Sequence, residues 1–516
     1  MNDYFITKYG NDIKIKSHDL PPTDNLFIDV DDIINSIDTE EVIPYIKSLI
    51  NKINPRKLIY LAVNGILPMA KIRSKRLSHY HQCSDDTHKN IFVAGTTIMK
   101  KIVNELRFHF QSNNNFIISD DTEPSESIYK IINYIKNHND FNENSLIYGS
   151  NPNLLLMTLL LNNNDAGMNV NIFHKCKSVP HLENIFKNEL YYLNIVKLGH
   201  CIVNDMTADK LNIFTKQRPE ISPEHHYRYL LDFVLISSFA GNDFLPSFEC
   251  VKFKLGGLDE LIINYTTIDH FITYQQSTEK ENKTLINFDI LKQYIFNLSQ
   301  REDMLLTYQK YSRDKPPVNR LFGTKDIEPD DMYHCITQSG SDEINVRKFG
   351  WQDRYYNLFF NIQRCECESM VTDYIDGLNW GLQYYTHSII GNDWYFKYDN
   401  TVLVCDFSKY FEIRPEYFDS LSKNKEYFDS LSKNKELCID MNMEMFLLIP
   451  SNNFDILPPY LCRYSSKILH QIPSFYPQIN ELKLFEYGKQ YKHECYPILP
   501  IIDDSVLCAI KSIFRI

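Results

Sequence analysis

Carboxylates and carboxamides recur in this chain just beyond short apolar, β-prone runs. Asp29 lies near the end of LFIDV (26–30), with Asp31 and Asp32 just beyond it, and Asn64 follows KLIYLAV (57–63). The acidic stretch from Ser119 to Glu126 follows a third such run, and Ser150–Asn153 follows a fourth at 145–149. Asp243 sits in Gly241-Asn242-Asp243-Phe244-Leu245-Pro246, directly after the apolar run 233–240. One carboxylate at a turn is commonly structural. Several at one edge of a sheet mark a ligand site, because ligands of open α/β sheets bind beyond the carboxyl ends of the strands.

Other chemistries have less support. Twelve cysteines show no paired CxxC spacing, and the nearest cluster is Cys365 and Cys367 around Glu366, so no structural zinc is expected. Free thiols without a disulfide framework fit a reducing, intracellular compartment. From Arg347 onward the chain is rich in aromatics, including Tyr355, Tyr356, Trp380, Tyr384, Tyr385 and Trp394. Such density fits a packed core, with a base-stacking platform as the sharper alternative.

The elements that must position these groups are strands alternating with helical patterns. That alternation predicts an α/β fold with a mainly parallel central sheet flanked by helices. Residues 1–265 form the expected first domain, 266–345 a helical or irregular connection, and 346–516 a mixed α+β region wrapped around the core. The decapeptide EYFDSLSKNK at 416–425 is repeated at 426–435. It reads as a local duplication in a surface loop or helix without chemistry, because inserting length into a loop is cheap.

The net charge of −12 and pI near 5.8 argue against broad electrostatic coating of nucleic acid, though not against a local basic pocket. The N-terminus carries acidic residues and lacks an apolar h-region, so no secretory signal is expected. The apolar run 154–161 is far shorter than a membrane span.

Taken in order, DNLFIDVDDII (24–34), NPRKLIYLAVNGILPMAKI (54–72), SDDTEPSESIYKI (119–131), YGSNPNL (148–154) and LDFVLISSFAGNDFLP (231–246) resemble successive blocks of the XRN family of 5′→3′ exoribonucleases. Downstream, GLNWGLQYY (377–385), WYFKY (394–398), LLIPSNNFDILPP (447–459), IPSFYP (472–477) and LPIIDD (499–504) resemble its second conserved region. The resemblance covers nearly the whole chain and implies a PIN/FEN-like nuclease core. It also implies stepwise hydrolysis of RNA from a 5′-monophosphate end, with two Mg²⁺ ions held by clustered acids. The chain stops near the end of that region, so the family's long C-terminal extensions are not expected.

Seven metal-binding acids are implied, and the chain departs from that pattern. Asp29, Glu126 and Asp243 match acids of the family. Asn64, Ile128, Asn151 and Asn153 stand at the other four positions. An amide keeps the shape of a carboxylate but not its charge, and isoleucine cannot ligate. A weak single Mg²⁺ near the three remaining acids is the most this set implies. Asp31, Asp32, Asp120, Asp121 and Glu123 are candidate substitutes, although turn or helix-cap roles account for them more simply.

The 5′-phosphate grip is similarly altered. Lys71 and Arg76 match basic positions of the family, Lys75 replaces a glutamine, and Ser78 and His79 replace two arginines. A solvated basic helix face is the plainer reading of the same stretch. For base stacking, Asn35 stands at the expected histidine, while Trp394 remains of a tryptophan pair whose other position is Asn392. The implied function is an XRN-like protein with impaired catalysis that binds RNA ends or protein partners. The alternatives are an active exoribonuclease with relocated acids, and a scaffold without RNA binding.

Overall fold

The computed structural model describes residues 1–15, 22–84, 91–111, 113–138, 143–161, 170–174, 191–208, 221–277, 282–314, 346–386, 394–423, 439–485 and 495–514. Its centre is a seven-stranded sheet: β1 (Lys14–Ile15), β2 (Asn25–Asp29), β3 (Leu58–Ala62), β4 (Phe116–Ser119), β5 (Ser145–Tyr148), β6 (Val170–His174) and β7 (Tyr191–Asn194). The spatial order is β1-β7-β6-β5-β2-β3-β4. Strands β6, β5, β2, β3 and β4 run parallel, and β7 and β1 join antiparallel at one edge.

Burial on both faces explains why β3 and the interior of β2 are apolar, with Asn25 and Asp29 confined to the two ends of β2. Phe27, Tyr60 and Ala62 enter the core on one face, while Leu26, Ile28, Ile59 and Leu61 enter the core on the other. A strand buried on both faces has no polar side to show. In register, Asp29 pairs with Ala62, and Ala62 with Ser119. The polar residues that follow β2, β3 and β4 therefore emerge at one edge.

The region from residue 346 is mainly helical among the described residues, and its β structure is one two-residue pair, Leu484–Phe485 with Tyr496–Pro497. Its long helix Glu368–Thr386 shares a core with the first region, since Tyr374, Leu378 and Tyr385 cluster with Phe233, Phe239 and Leu245. Between the two regions, Thr273–Ser277 and Asn282–Ile286 form an antiparallel hairpin, followed by helices Phe288–Ser299 and Glu302–Asp314. The first decapeptide copy begins on helix Pro415–Lys423, with Phe418 and Leu421 buried. The second copy lies outside the described residues. No helix among the described residues is long and apolar enough to cross a membrane.

A separate core joins the Met69–Ser84 helix to the C-terminal region through Leu67, Ile72, Phe446 and Leu448. Glu444 is fully buried at this junction and accepts from the Leu67 N–H at 3.2 Å, while its Oε2 has no hydrogen-bond partner. Burial pushes its carboxyl up to about 8. A carboxyl raised in the fold stabilises most at low pH, and that contribution is lost as pH rises through the raised value. Glu444→Gln is therefore expected to match the parent at pH 5 and exceed it by roughly 2–4 kcal/mol at pH 9, as read by chemical denaturation. An equal difference at both pH values would show that Glu444 does not titrate in the fold.

Candidate active-site cleft

The strand ends open into a cleft of about 630 Å³. Asp29, Asn64, Lys71, Lys75, Glu126, Ile128, Asn151 and Asp243 all line it. The local sequence explains the placement. Asp29 ends β2 and caps the short helix Val30–Ile34 by accepting from the Asp32 N–H. Asn151 caps the helix Pro152–Leu159, whose first residue is a proline suited to that position. Glu126 directly precedes the helix Ser127–His138, and Asp243 follows the turn after Pro223–Ser237.

The amides at the positions where the family resemblance implies acids are built into hydrogen bonds. The Asn64 carbonyl accepts from the Ser127 N–H at 2.8 Å, and the Asn64 N–H donates to Asp31 Oδ2 at 2.5 Å. Asn151 Oδ1 accepts from the Asn153 N–H at 2.9 Å. Asn153 is buried and works both ways: its Nδ2 donates to Asp243 at 2.9 Å, and its Oδ1 accepts from Tyr385 OH at 2.7 Å. A carboxylate cannot donate the first of these bonds. Ile128 is packed in the main core.

The remaining acids are partnered too. Lys71 Nζ lies 2.9 Å from Glu126 Oε1 and also pairs with Asp243 Oδ2, so a buried ammonium bridges the two carboxylates. Burial opposes its charge, but Asp243 and Glu126 outweigh burial and hold the ammonium above its usual range. The carboxylates answer the same cation differently. Lys71 holds Asp243 below its usual value, whereas burial keeps Glu126 above its own despite Lys71. Asp243 is lowered first by Lys71 and also by the bond from Asn153, whereas for Glu126 burial comes first and the Asp243 charge adds to the rise. Glu126 also accepts from Tyr384 OH. Asp29 accepts from Ser127 Oγ at 2.7 Å, and burial followed by Asp31 and Asp32 pushes its carboxyl well above the usual range.

Of the nearby acids, Asp31 and Asp32 line the cleft, and Asp32 accepts from Ser150 Oγ. Asp120, Asp121 and Glu123 turn elsewhere. Asp120 pairs with Arg107, Asp121 accepts from the Gly95 N–H at 2.9 Å, and Glu123 accepts from Ser119 Oγ.

The helix Met69–Ser84 divides the expected phosphate grip. Lys71, Lys75, Ser78 and His79 share its cleft face. Arg76 points away and is buried, with its guanidinium 3.6 Å from the Phe475 ring centre and bonded to the Phe475 carbonyl. His79 is buried and bonds the Leu448 carbonyl at 3.0 Å; burial and Lys75 lower its pKa to about 4, so it is neutral. Trp394 does not line the cleft. It stacks on Trp380 at 5.4 Å and packs over Gly377, where a Cβ would come within 2.7 Å of the indole. Asn35 lines the cleft, and Asn392 lies outside the described residues.

Sequence reasoning did not assign roles to Ser127, Tyr384 and Tyr385, which supply hydroxyl donors to Asp29, Glu126 and Asn153. The available signal was the adjacent tyrosine pair at the end of a buried helix, where phenylalanine would serve packing alone.

A pair of divalent ions needs several converging anionic oxygens. Among the described residues, no three histidine, cysteine, aspartate or glutamate side chains converge as a metal-holding group. Lys71 lies between two of the acids, and Asn153 Nδ2, a donor with no lone pair to offer, faces Asp243. These residues do not fit a two-metal centre.

A parallel sheet with a polar cleft beyond its strand ends defines an α/β ligand-binding architecture. Comparison with known families is specific. The model for the XRN 5′-3′ exonuclease N-terminus matches residues 2–90 and 79–168, and that for the Xrn1 helical domain matches 324–513. The chain belongs to the XRN family. It is 21 % identical to a 5′-3′ exoribonuclease 2 homolog of Drosophila melanogaster, over 94 % of this chain and 65 % of that protein. It is also 21 % identical to 5′-3′ exoribonuclease 1 of Schizosaccharomyces pombe, over 96 % of this chain and 46 % of that one. The chain thus spans less than two thirds of the length of these relatives.

Proposed function

We propose that this XRN-family chain is catalytically impaired and acts by holding RNA 5′ ends. The observation that carries this reading is the Lys71 ammonium lodged between Glu126 and Asp243. Two-metal hydrolysis needs a cluster of anionic oxygens to hold two cations side by side against their repulsion. Here one fixed positive charge already lies among the acids, and four further acid positions carry no charge. The cleft retains the chemistry of a phosphate binder: Lys75 faces it with the Ser74 and Ser78 hydroxyls on the same helix face.

Purified protein incubated with 5′-monophosphorylated RNA and Mg²⁺ or Mn²⁺ is expected to release no 5′ nucleotides. It is expected to bind 5′-phosphate RNA in preference to 5′-hydroxyl RNA, and Lys75→Ala should remove that preference. Stepwise loss of 5′ nucleotides that disappears in Asp29→Ala or Asp243→Ala would overturn impairment. Equal affinity for both RNA ends would favour a scaffold that does not read the phosphate.

A further inference from the structure

A second cavity, of about 480 Å³, lies behind the wall of the cleft. Its size falls in the range of small-molecule sites. The partition between the two is the segment 125–127: Glu126 and Ser127 line the cleft, and Ser125 lines this cavity. Ser125 adopts φ +96°, a conformation that side chains rarely take, and is held by backbone bonds to Ile66 and Gly65 at 2.9 Å each. Gly65 is needed there, because a Cβ would lie 1.7 Å from the Glu123 carbonyl oxygen. A strained segment held this firmly is typical of functional positions.

We propose that this cavity binds a nucleobase. Two aromatic groups line it. One comprises Trp380 and Tyr384, stacked at 5.3 Å, with Tyr129 5.7 Å from Tyr384. The other comprises Tyr60 and Tyr134 at 4.7 Å, with His138 stacked on Tyr134 at 4.3 Å. Flat aromatic walls accept the faces of bases regardless of sequence. Asn133 and Asn137 are exposed at the rim and bring amide groups, which both donate and accept, to the edge of a base.

The electrostatics favour a base over a phosphate. Lys130 is the lining lysine, and its ammonium already donates to the Val63 and Asp120 carbonyls at 2.8 and 2.6 Å. Glu123, also lining, would repel an anion. Tyr384 spans the partition, lining the cavity while its hydroxyl donates to Glu126 of the cleft. The base comes either from a strand of RNA or from a free nucleoside. Base binding here does not require the loss of nuclease activity.

Calorimetric titration of the full chain with adenosine tests it. One-to-one binding is expected, weakened at least tenfold in Tyr134→Ala and retained in Tyr134→Phe. The exposed double variant Asn133→Ala/Asn137→Ala, which leaves the core untouched, should bind at least threefold more weakly. Lys75→Ala, a change confined to the cleft, should leave adenosine binding unaltered. An oligoadenylate that competes with adenosine identifies a base within a strand, and one that does not compete identifies a free nucleoside; both outcomes support the pocket. No heat with millimolar adenosine, undiminished binding in both the Tyr134→Ala and asparagine variants, or displacement of adenosine by inorganic phosphate would overturn it.

Discussion

Lys71→Met is expected to lose roughly 3–5 kcal/mol of stability at pH 8 and far less at pH 5. Methionine keeps the length and apolar body of the lysine, so packing over the Phe244 ring, 5.2 Å from the ammonium, is largely preserved. What disappears is the charge between two carboxylates. Glu126 is buried and already raised by desolvation, with Lys71 the main influence opposing that rise. Without Lys71 its folded pKa climbs further above the unfolded value. A carboxyl raised in the fold contributes most below its unfolded pKa and loses that contribution as pH rises. Asp243 changes in the same direction, because its depressed pKa depends first on Lys71. The gap between variant and parent must therefore widen from pH 5 to pH 8 in denaturation curves. A second change, Asp243→Asn, should recover part of the loss by removing one unpaired acid. A gap that stays constant with pH would mean that Lys71 contributes packing alone.

Asn153→Asp restores the acid that the family resemblance implies, and it should destabilise. In the parent the Asn153 amide donates to Asp243 at 2.9 Å and accepts from Tyr385 at 2.7 Å. An aspartate keeps the second bond but turns the first into contact between two carboxylates. Two anions at that separation cannot both ionise cheaply, so one is forced to bind a proton. About 2–3 kcal/mol of stability should be lost at pH 8, shrinking toward pH 5, where one proton settles the pair. Millimolar Mg²⁺ should return part of that stability to the variant, since facing carboxylates give a hard cation a place to bind, and should leave the parent unmoved. An equal Mg²⁺-induced rise in melting temperature in both proteins would mean that the parent already binds the ion there.

The layout of the sheet was legible where the sequence was locally decisive. The runs at 26–28 and 58–62 are apolar because both strand faces are buried, and β2 and β3 form there. The antiparallel edge was not legible, since β6 and β7 carry short patterns such as VNIFH and YYLN without a hairpin signal between them. The hairpin at 273–277 and 282–286 was missed for a related reason: TYQQS and NKTLI are too polar to stand out as strands. In the cleft, the residues that follow strands converge because parallel register places strand ends together.

Helix geometry separates the basic residues. Lys71 and Lys75 are four apart and share a face, whereas Arg76 lies five from Lys71, about 140° around the helix. That rotation sends Arg76 against Phe475 instead of into the cleft. The Lys71–Asp243 pair, 172 residues apart, has no local signature at all. Trp394 was readable as an aromatic, but its position over Gly377 depends on a helix contact that no single segment encodes.

Anomalous diffraction from crystals equilibrated with Mn²⁺ reads the cleft most directly, because it counts the cations and locates them. No pair of manganese peaks is expected among Asp29, Glu126 and Asp243, with the Lys71 side chain still bridging the latter two. Two peaks about 4 Å apart, with Lys71 displaced from between its carboxylates, would contradict the loss of the two-metal centre.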